Sequence, residues 1–337
     1  MQRKRYRLKA GNINNLKLVT EEMPAPAADE VTVEVRAIGL NFADVSVIMG
    51  LYSATPKGEF TPGLEISGVV TAVGSAVKKV RPGDRVFAVT RFGGYTTHIN
   101  IGENYAMPLP DDWSFEEGCA YPVQVLTAYY ALRPLGDLQA GQTVLIHNAA
   151  GGVGILANRL AKKMGATTIG TVGSPAKLDL LRQEGVDFPI VRDKLFFQNL
   201  DKILKDRELN LILETNNGKM LMEDFKRLSP MGRSVVYSAA DFITHGSRPN
   251  LLKVIWKFLR RPMIDPLKLT DGNRGILGFN LIYLYEKSQL LHQYLEEIKT
   301  YNIGKPRVGH ILEFGKLPEA VRLLQSGKTT GKVVVKI

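Results

Sequence analysis

The chain has 337 residues, 45% of them hydrophobic, with one cysteine and 44 Lys+Arg against 33 Asp+Glu, a formal charge of +11. That length supports two domains with full-sized cores, and no apolar run is long enough to span a bilayer. Cys119 alone excludes an internal disulfide and a cysteine-rich zinc site, and the basic stretch Met1–Arg7 lacks the apolar core of a signal peptide, so a cytoplasmic setting is expected.

Residues 1–110 read as β-rich. Val31-Thr32-Val33-Glu34-Val35 alternates with period two, and further short strands follow over Gly63–Val73 and Arg85–Val89. Pro62-Gly63, Pro82-Gly83 and Gly93-Gly94 punctuate them, as in a compact, partly barrel-like β domain. The texture changes near residue 112. Ser114-Phe115-Glu116-Glu117 is a capping box, and Pro122 opens a second helix reaching about Leu132. Beyond Gly141, strands and helices alternate: Val144–Ile146, Val153–Met164, Thr167–Val172, Ala176–Glu184, Leu209–Leu213 and Val235–Tyr237. This is the pattern of a doubly wound parallel sheet in an α/β protein. A long amphipathic helix is expected from Leu281 to about Lys299, and a last strand over Lys332–Ile337. The expected division is 1–124 with 281–337 as one domain, and 125–280 inserted between them.

The organising stretch is Thr143–Ile146, a run suited to a buried strand, followed by Ala149-Ala150-Gly151-Gly152-Val153-Gly154 and an amphipathic helix closed by Gly165. A strand, a glycine-rich turn and a helix make a phosphate cradle. Backbone N–H groups and the helix dipole face the anion, and missing side chains let it approach. The spacing Ala149-x-Gly151-x-x-Gly154 is a dinucleotide fingerprint with alanine in the first glycine place. The charge of +11 fits such a phosphate-rich cofactor. No basic cluster is interleaved with aromatics, so nucleic acid is not an expected partner.

Further motifs extend this reading: Asn41-Phe42-Ala43-Asp44 with Gly50-Leu51-Tyr52, Pro62-Gly63-Leu64-Glu65, Gly83-Asp84-Arg85-Val86, Gly93-Gly94-Tyr95 and Leu126-Thr127-Ala128. With the Ala149–Gly154 turn, they resemble the medium-chain dehydrogenase/reductases in the zinc-free quinone oxidoreductase branch. Asp265–Leu269 with Gly278-Phe279-Asn280 is similar to the vesicle amine transport protein homologue subgroup. The resemblance implies a GroES-like β-rich catalytic domain with an inserted Rossmann domain, and a homodimer, for which Val235–Tyr237 would be the edge strand. It also implies that both metal sites of the zinc-dependent relatives are lost. Asn41 stands at the early ligand position, the Gly-His-Glu pattern reads Gly63-Leu64-Glu65, and leucine binds no zinc. Without a Lewis acid, reduction of a quinone or enone is the expected reaction, polarised by hydrogen-bond donors.

In NAD enzymes an acid about 20 residues past the turn holds the ribose 2′-OH. Here Gly173 and Ser174 occupy that place and Lys177 follows. A hydroxyl and an ammonium attract a 2′-phosphate that a carboxylate would repel, so NADPH is expected. Arg192 is either a further phosphate contact or a solvated arginine, and Lys332 reads as a surface lysine more than a phosphate contact. By the resemblance, Asn41 and Tyr52 lie beside nicotinamide and substrate, Thr127 near the nicotinamide ribose, and Phe279-Asn280 where backbone faces the carboxamide. Tyr52 would donate to the substrate oxygen or seal the pocket. Asp44 is expected to bind backbone N–H groups, and His147 to be a packed strand-end histidine.

Asn250–Arg261 puts Leu251, Leu252, Val254, Ile255, Phe258 and Leu259 on one face and Lys253, Lys257, Arg260 and Arg261 on another. Such a helix packs within the protein, packs across a dimer, or lies on an anionic membrane. The function expected first is an NADPH:quinone or enone reductase. A nucleotide-regulated peripheral-membrane or trafficking adaptor and an RNA-binding relative are the alternatives.

Overall fold

The computed structural model describes residues 1–238, 242–243 and 245–337. The first unit is built on a seven-stranded sheet. Its longest strand, Glu30–Leu40, pairs antiparallel with Glu65–Val73, with His98–Gly102 and, at its other end, with Lys332–Lys336. Arg85–Val89 and Ala106–Pro108 continue one side, and Val308–Glu313 flanks Lys332–Lys336. The alternation in Val31, Val33 and Val35 buries these side chains completely, together with Ile66, Val86, Val333 and Val335. Val333–Lys336 lies against Ala37–Leu40, so the last strand returns to the sheet of Glu30–Leu40, while the first strand, Gln2–Lys9, lies in a separate three-stranded sheet.

The nucleotide-type unit contains β1 (Thr143–Ile146), α1 (Gly152–Lys163), β2 (Thr167–Val172), α2 (Leu178–Gln183), β3 (Phe188–Val191), α3 (Phe196–Leu204), β4 (Leu209–Glu214), α4 (Lys219–Lys226), β5 (Leu228–Val236) and β6 (Gly275–Gly278). All ladders are parallel, in the order β3-β2-β1-β4-β5-β6. This is the doubly wound order, with its switch point between β1 and β4, where ligands bind outside the carboxyl ends. The short apolar run of β1 is buried on both faces. Val144 and Ile146 pack with Ile155 and Leu156 of α1 on one side, and Leu145 packs with Phe196, Leu200 and Ile212 on the other.

Three expected elements change. β5 is paired on both sides, Val235 with Leu213 and with Leu277, so Val235–Tyr237 is not a sheet edge; that edge is β6. The helix expected from Leu281 is a 3-10 turn over Leu281–Leu284 and an α-helix over Ser288–Thr300. The helix from Pro122 ends at Tyr130 and widens into a π turn over Ala131–Leu135. Pro134 lacks the N–H that a regular turn would need there.

Helix α5 (Leu251–Leu259) lies between β5 and β6 and buries none of its residues. Leu252, Trp256 and Leu259 are 82%, 53% and 74% exposed. Among the described residues no helix is long and apolar enough to cross a membrane.

Candidate active site

The turn after β1 is held from within. Asn148 takes a positive φ of 51°, and its carbonyl accepts from the Gly151 amide at 2.9 Å. A Cβ on Gly154 would stand 2.5 Å from that carbonyl oxygen, so only glycine fits. A Cβ on Gly152 would meet Oε1 of Gln124 at 2.8 Å. Alanine is accommodated at position 149 because Gly170 on β2 faces it; a Cβ there would come within 3.1 Å of the Ala149 Cβ. The amides of Gly152, Val153 and Gly154 form the first turn of α1, where N–H groups have no intrahelical acceptor. The last part of the chain lies across the turn, with the Gly331 amide donating to the Ala150 carbonyl at 2.8 Å.

Past β2, no carboxylate stands at Gly173 or Ser174. Asp179, the first acid, pairs with Arg182 on the surface. The Ser174 hydroxyl caps the following 3-10 turn, and Lys177 Nζ donates to the carbonyls of Gly327 and Thr329 at 3.0 and 2.8 Å. Burial and the nearby Arg192 guanidinium hold the Lys177 ammonium below its ordinary pKa. Arg192 is not a solvated arginine. It spans the switch point, with Nη1 donating to Asn216 Oδ1 at 2.6 Å and Nη2 to Asn148 Oδ1 at 2.5 Å.

The opposite end of the cleft has a polar floor drawn from four segments. Asn41 Nδ2 donates to Glu65 Oε1 at 2.8 Å, and Gln124 Nε2 donates to Asn41 Oδ1 at 2.6 Å. Lys332 Nζ donates to Asn41 Oδ1 at 2.9 Å and to Glu65 Oε1, while Glu65 Oε2 accepts from the Val123 amide at 2.9 Å. Lys332 is therefore neither a surface lysine nor a phosphate contact: it is 3% exposed and is the counter-ion of a fully buried carboxylate. Asp44 caps its helix as expected, with Oδ2 accepting from the Asn41 amide at 2.7 Å. Burial raises its carboxyl to about 7.

Tyr52 donates its hydroxyl proton to Asn280 Oδ1 at 2.5 Å, a contact between the two units. Burial lifts the phenol to about 12, so it is a proton holder at neutral pH. Thr127, 8% exposed, lines the same cleft from the helix that starts at Pro122. Phe279 donates its amide to the Val236 carbonyl, and its ring packs edge-on to Tyr130.

Asn41, Tyr52, Thr127, Ala150–Gly154, Gly173, Ser174, Lys177, Arg192, Phe279 and Asn280 thus line one cleft of about 1070 Å³, with Ala149 buried behind it. Its cations are Lys177, Arg192, Lys253, Lys257, Lys328 and Lys332, and no Asp or Glu is among its described lining residues. His147 lies outside the lining, fully buried against Thr171 and Asp224, as a packed strand-end histidine does. Sequence reasoning missed Gln124, Asn148, Asn216 and the roles of Glu65 and Lys332. Amides and single charges carry no spacing signal; only the Gly-Leu-Glu triplet marked Glu65.

At the expected metal position the donors do not suit zinc. Leu64 has no ligand atom, and the ammonium of Lys332 already occupies the oxygens of Asn41 and Glu65.

Residues 27–120 match the alcohol dehydrogenase GroES-like domain family, and residues 152–281 match the zinc-binding dehydrogenase family. The chain is 34% identical to the synaptic vesicle membrane protein VAT-1 homolog of Danio rerio over 330 residues, covering 96% of this chain and 68% of that protein. Among solved structures, Escherichia coli quinone oxidoreductase complexed with NADPH superposes with a TM-score of 0.86 at 26% identity, covering 100% of both chains. CurK enoyl reductase superposes with a TM-score of 0.85 at 27% identity, covering 100% of this chain and 99% of that one.

Proposed function

The chain belongs to the medium-chain dehydrogenase/reductases, of the quinone oxidoreductase and VAT-1 type, and from that membership we propose that it is a zinc-independent, NADPH-dependent reductase of quinones or other activated carbonyls and enones. One observation carries the cofactor choice: apart from Lys332, which is paired with Glu65, the described lining of the cleft holds Lys177, Arg192, Lys253, Lys257 and Lys328 and no carboxylate. A 2′-phosphate between Ser174, Lys177 and Arg192 meets only attraction there. The turn amides of Gly152–Gly154 and the dipole of α1 take the pyrophosphate.

NADPH supplies the hydride when bound. The protein's own residues do the rest. Asn41, fixed by Glu65, Gln124 and Lys332, orients the nicotinamide side of the cleft, and Thr127 takes the ribose. Tyr52 keeps its proton at Oη and directs it in a hydrogen bond to the substrate oxygen in exchange for Asn280. Phe279 and Asn280 close the carboxamide side. Conjugate or direct hydride addition to an electrophilic carbonyl needs such donors and no Lewis acid. The test is NADPH oxidation, followed by its absorbance, across quinones, enones and aldehydes, with Tyr52→Phe as control. Turnover with a quinone or enone, slowed in the variant at unchanged NADPH affinity, supports the reading. No turnover with any class removes it.

A second reading follows from α5. Its apolar residues face outward while Lys253 and Lys257 face the cleft, the reverse of a helix packed on its own domain. With Arg260 and Arg261 and no acid in Asn250–Arg261, the surface suits an anionic membrane. The competing occupant is a second copy, joined along β6, the edge of the sheet among the described residues. Co-sedimentation with phosphatidylserine vesicles, compared with the oligomeric state of Leu252→Glu, separates them. Lost vesicle binding in a protein of unchanged mass supports the membrane; a dimer that falls to a monomer supports the second copy.

A further inference from the structure

Beside the switch point, on the α4 side of the sheet, three ionisable side chains meet out of reach of water. His147, Glu214 and Asp224 are each 0% exposed. They come from the position after β1, the end of β4 and the second half of α4, Asp224 lying 77 residues from His147. His147 Nε2 is 3.0 Å from Asp224 Oδ2 and 3.7 Å from Glu214 Oε2, and the three donor atoms all lie within 4.8 Å of one another. Glu214 Oε2, which points into this cluster, and Asp224 Oδ1 accept no hydrogen bond. The cluster has two carboxylates and one imidazole; burial pushes the Glu214 carboxyl up, and with both carboxylates ionised even a protonated histidine leaves a buried negative charge. Burial of such a charge without a partner is costly.

The geometry points to a divalent transition-metal site of the zinc class, bound by His147 Nε2, Glu214 Oε2 and Asp224. Ligands of tetrahedral zinc sit at about 2.0–2.1 Å and so stand roughly 3.4 Å apart, which the separations of 3.0 and 3.7 Å bracket. A dication, two carboxylates and a neutral imidazole sum to zero charge. His147 Nδ1 lies 3.1 Å from Thr171 Oγ1, so an Nδ1–H donated there leaves Nε2 unprotonated for a metal, the outer-shell arrangement that orients histidine ligands. The imidazole favours zinc, cobalt or nickel over magnesium or calcium, which take oxygen ligands. The site is separate from the place where family relatives hold catalytic zinc and stands independently of the reductase reading. It does touch the cleft: Glu214 Oε1 accepts from Asn216 N and Nδ2, and Asn216 holds Arg192.

The experiment uses the full chain, stripped with chelator and dialysed against Zn²⁺ or Co²⁺. The expected result is one ion per chain by elemental analysis, with visible cobalt bands of nitrogen and oxygen ligation and no thiolate charge-transfer band. Zinc at a hundredfold excess over its Kd should raise Tm by about 4 °C. Asp224→Asn and His147→Gln should each weaken cobalt binding at least tenfold. Failure of the wild type to bind a stoichiometric ion overturns the proposal, as does binding that survives both substitutions; the cluster then holds a shared proton. Should the variants not fold, the cobalt spectrum of the wild type still decides, because an aqua-like six-coordinate spectrum contradicts the site.

Discussion

Two clusters of buried charged side chains are built differently. At the floor, Glu65 meets Lys332, Asn41, Gln124 and a backbone amide, and both of its oxygens are satisfied. Beside the switch point, Glu214 and Asp224 meet one histidine, and an oxygen of each is left without a donor. The first cluster is charge-balanced by the chain itself. The second is short of positive charge. Burial alone therefore does not tell what a carboxylate does; the count of donors and cations around it does.

The largest expected effect breaks the balanced cluster. Lys332→Met leaves Glu65 buried without its cation and should cost about 3–5 kcal/mol, read as a fall in urea midpoint, with Glu65→Leu added to it restoring much of the loss. In the acid-rich cluster, in chelator, Glu214→Gln removes excess negative charge and should leave stability unchanged or raised. If Glu214→Gln costs as much as Lys332→Met, the contrast between the clusters fails.

Next in size is Arg192→Ala. Loss of one charged contact should weaken NADPH binding by roughly 1.5–3 kcal/mol, about 10–150-fold, and leave NADH binding little changed. Calorimetric titration with both cofactors checks it. An equal loss for both would make Arg192 a strut between Asn148 and Asn216 rather than a phosphate contact.

How much of this was legible in the sequence follows from where each feature is encoded. The glycine turn is local: strand, Ala149–Gly154 and helix sit within about twenty consecutive residues, and the structure confirms their geometry. The absence of an acid at Gly173 and Ser174 is likewise a local fact. The floor is not local, since Asn41, Glu65, Gln124 and Lys332 come from four separate segments. A lysine near the last strand looks like any surface lysine until Glu65 is placed opposite it. The edge strand β6 was hidden for another reason. Gly-Ile-Leu-Gly is too short and too glycine-flanked to give a period, so the sequence pattern puts the edge at β5.

A smaller effect sharpens the view of the floor. The Asp44 carboxyl stands at about 7 in the folded protein against 3.8 unfolded. A raised folded value favours the protonated form. Its contribution to stability is therefore full below about pH 4 and is lost as pH rises through 7. Asp44→Asn keeps an acceptor for the Asn41 amide and should flatten the decline of Tm between pH 4 and 8. An unchanged pH profile would show that other groups set it. The smallest effect is expected at α5: Leu252→Glu on an exposed face should change the stability of the isolated chain by no more than about 0.5 kcal/mol.

The measurement that bears most directly on the central claim is kcat/KM for NADPH and for NADH with one quinone and one enone as acceptors. The cation-lined, carboxylate-free cleft should give a preference for NADPH of at least tenfold, lost in Arg192→Ala with Lys177→Ala. Equal use of the two cofactors, or a preference for NADH, would contradict the account.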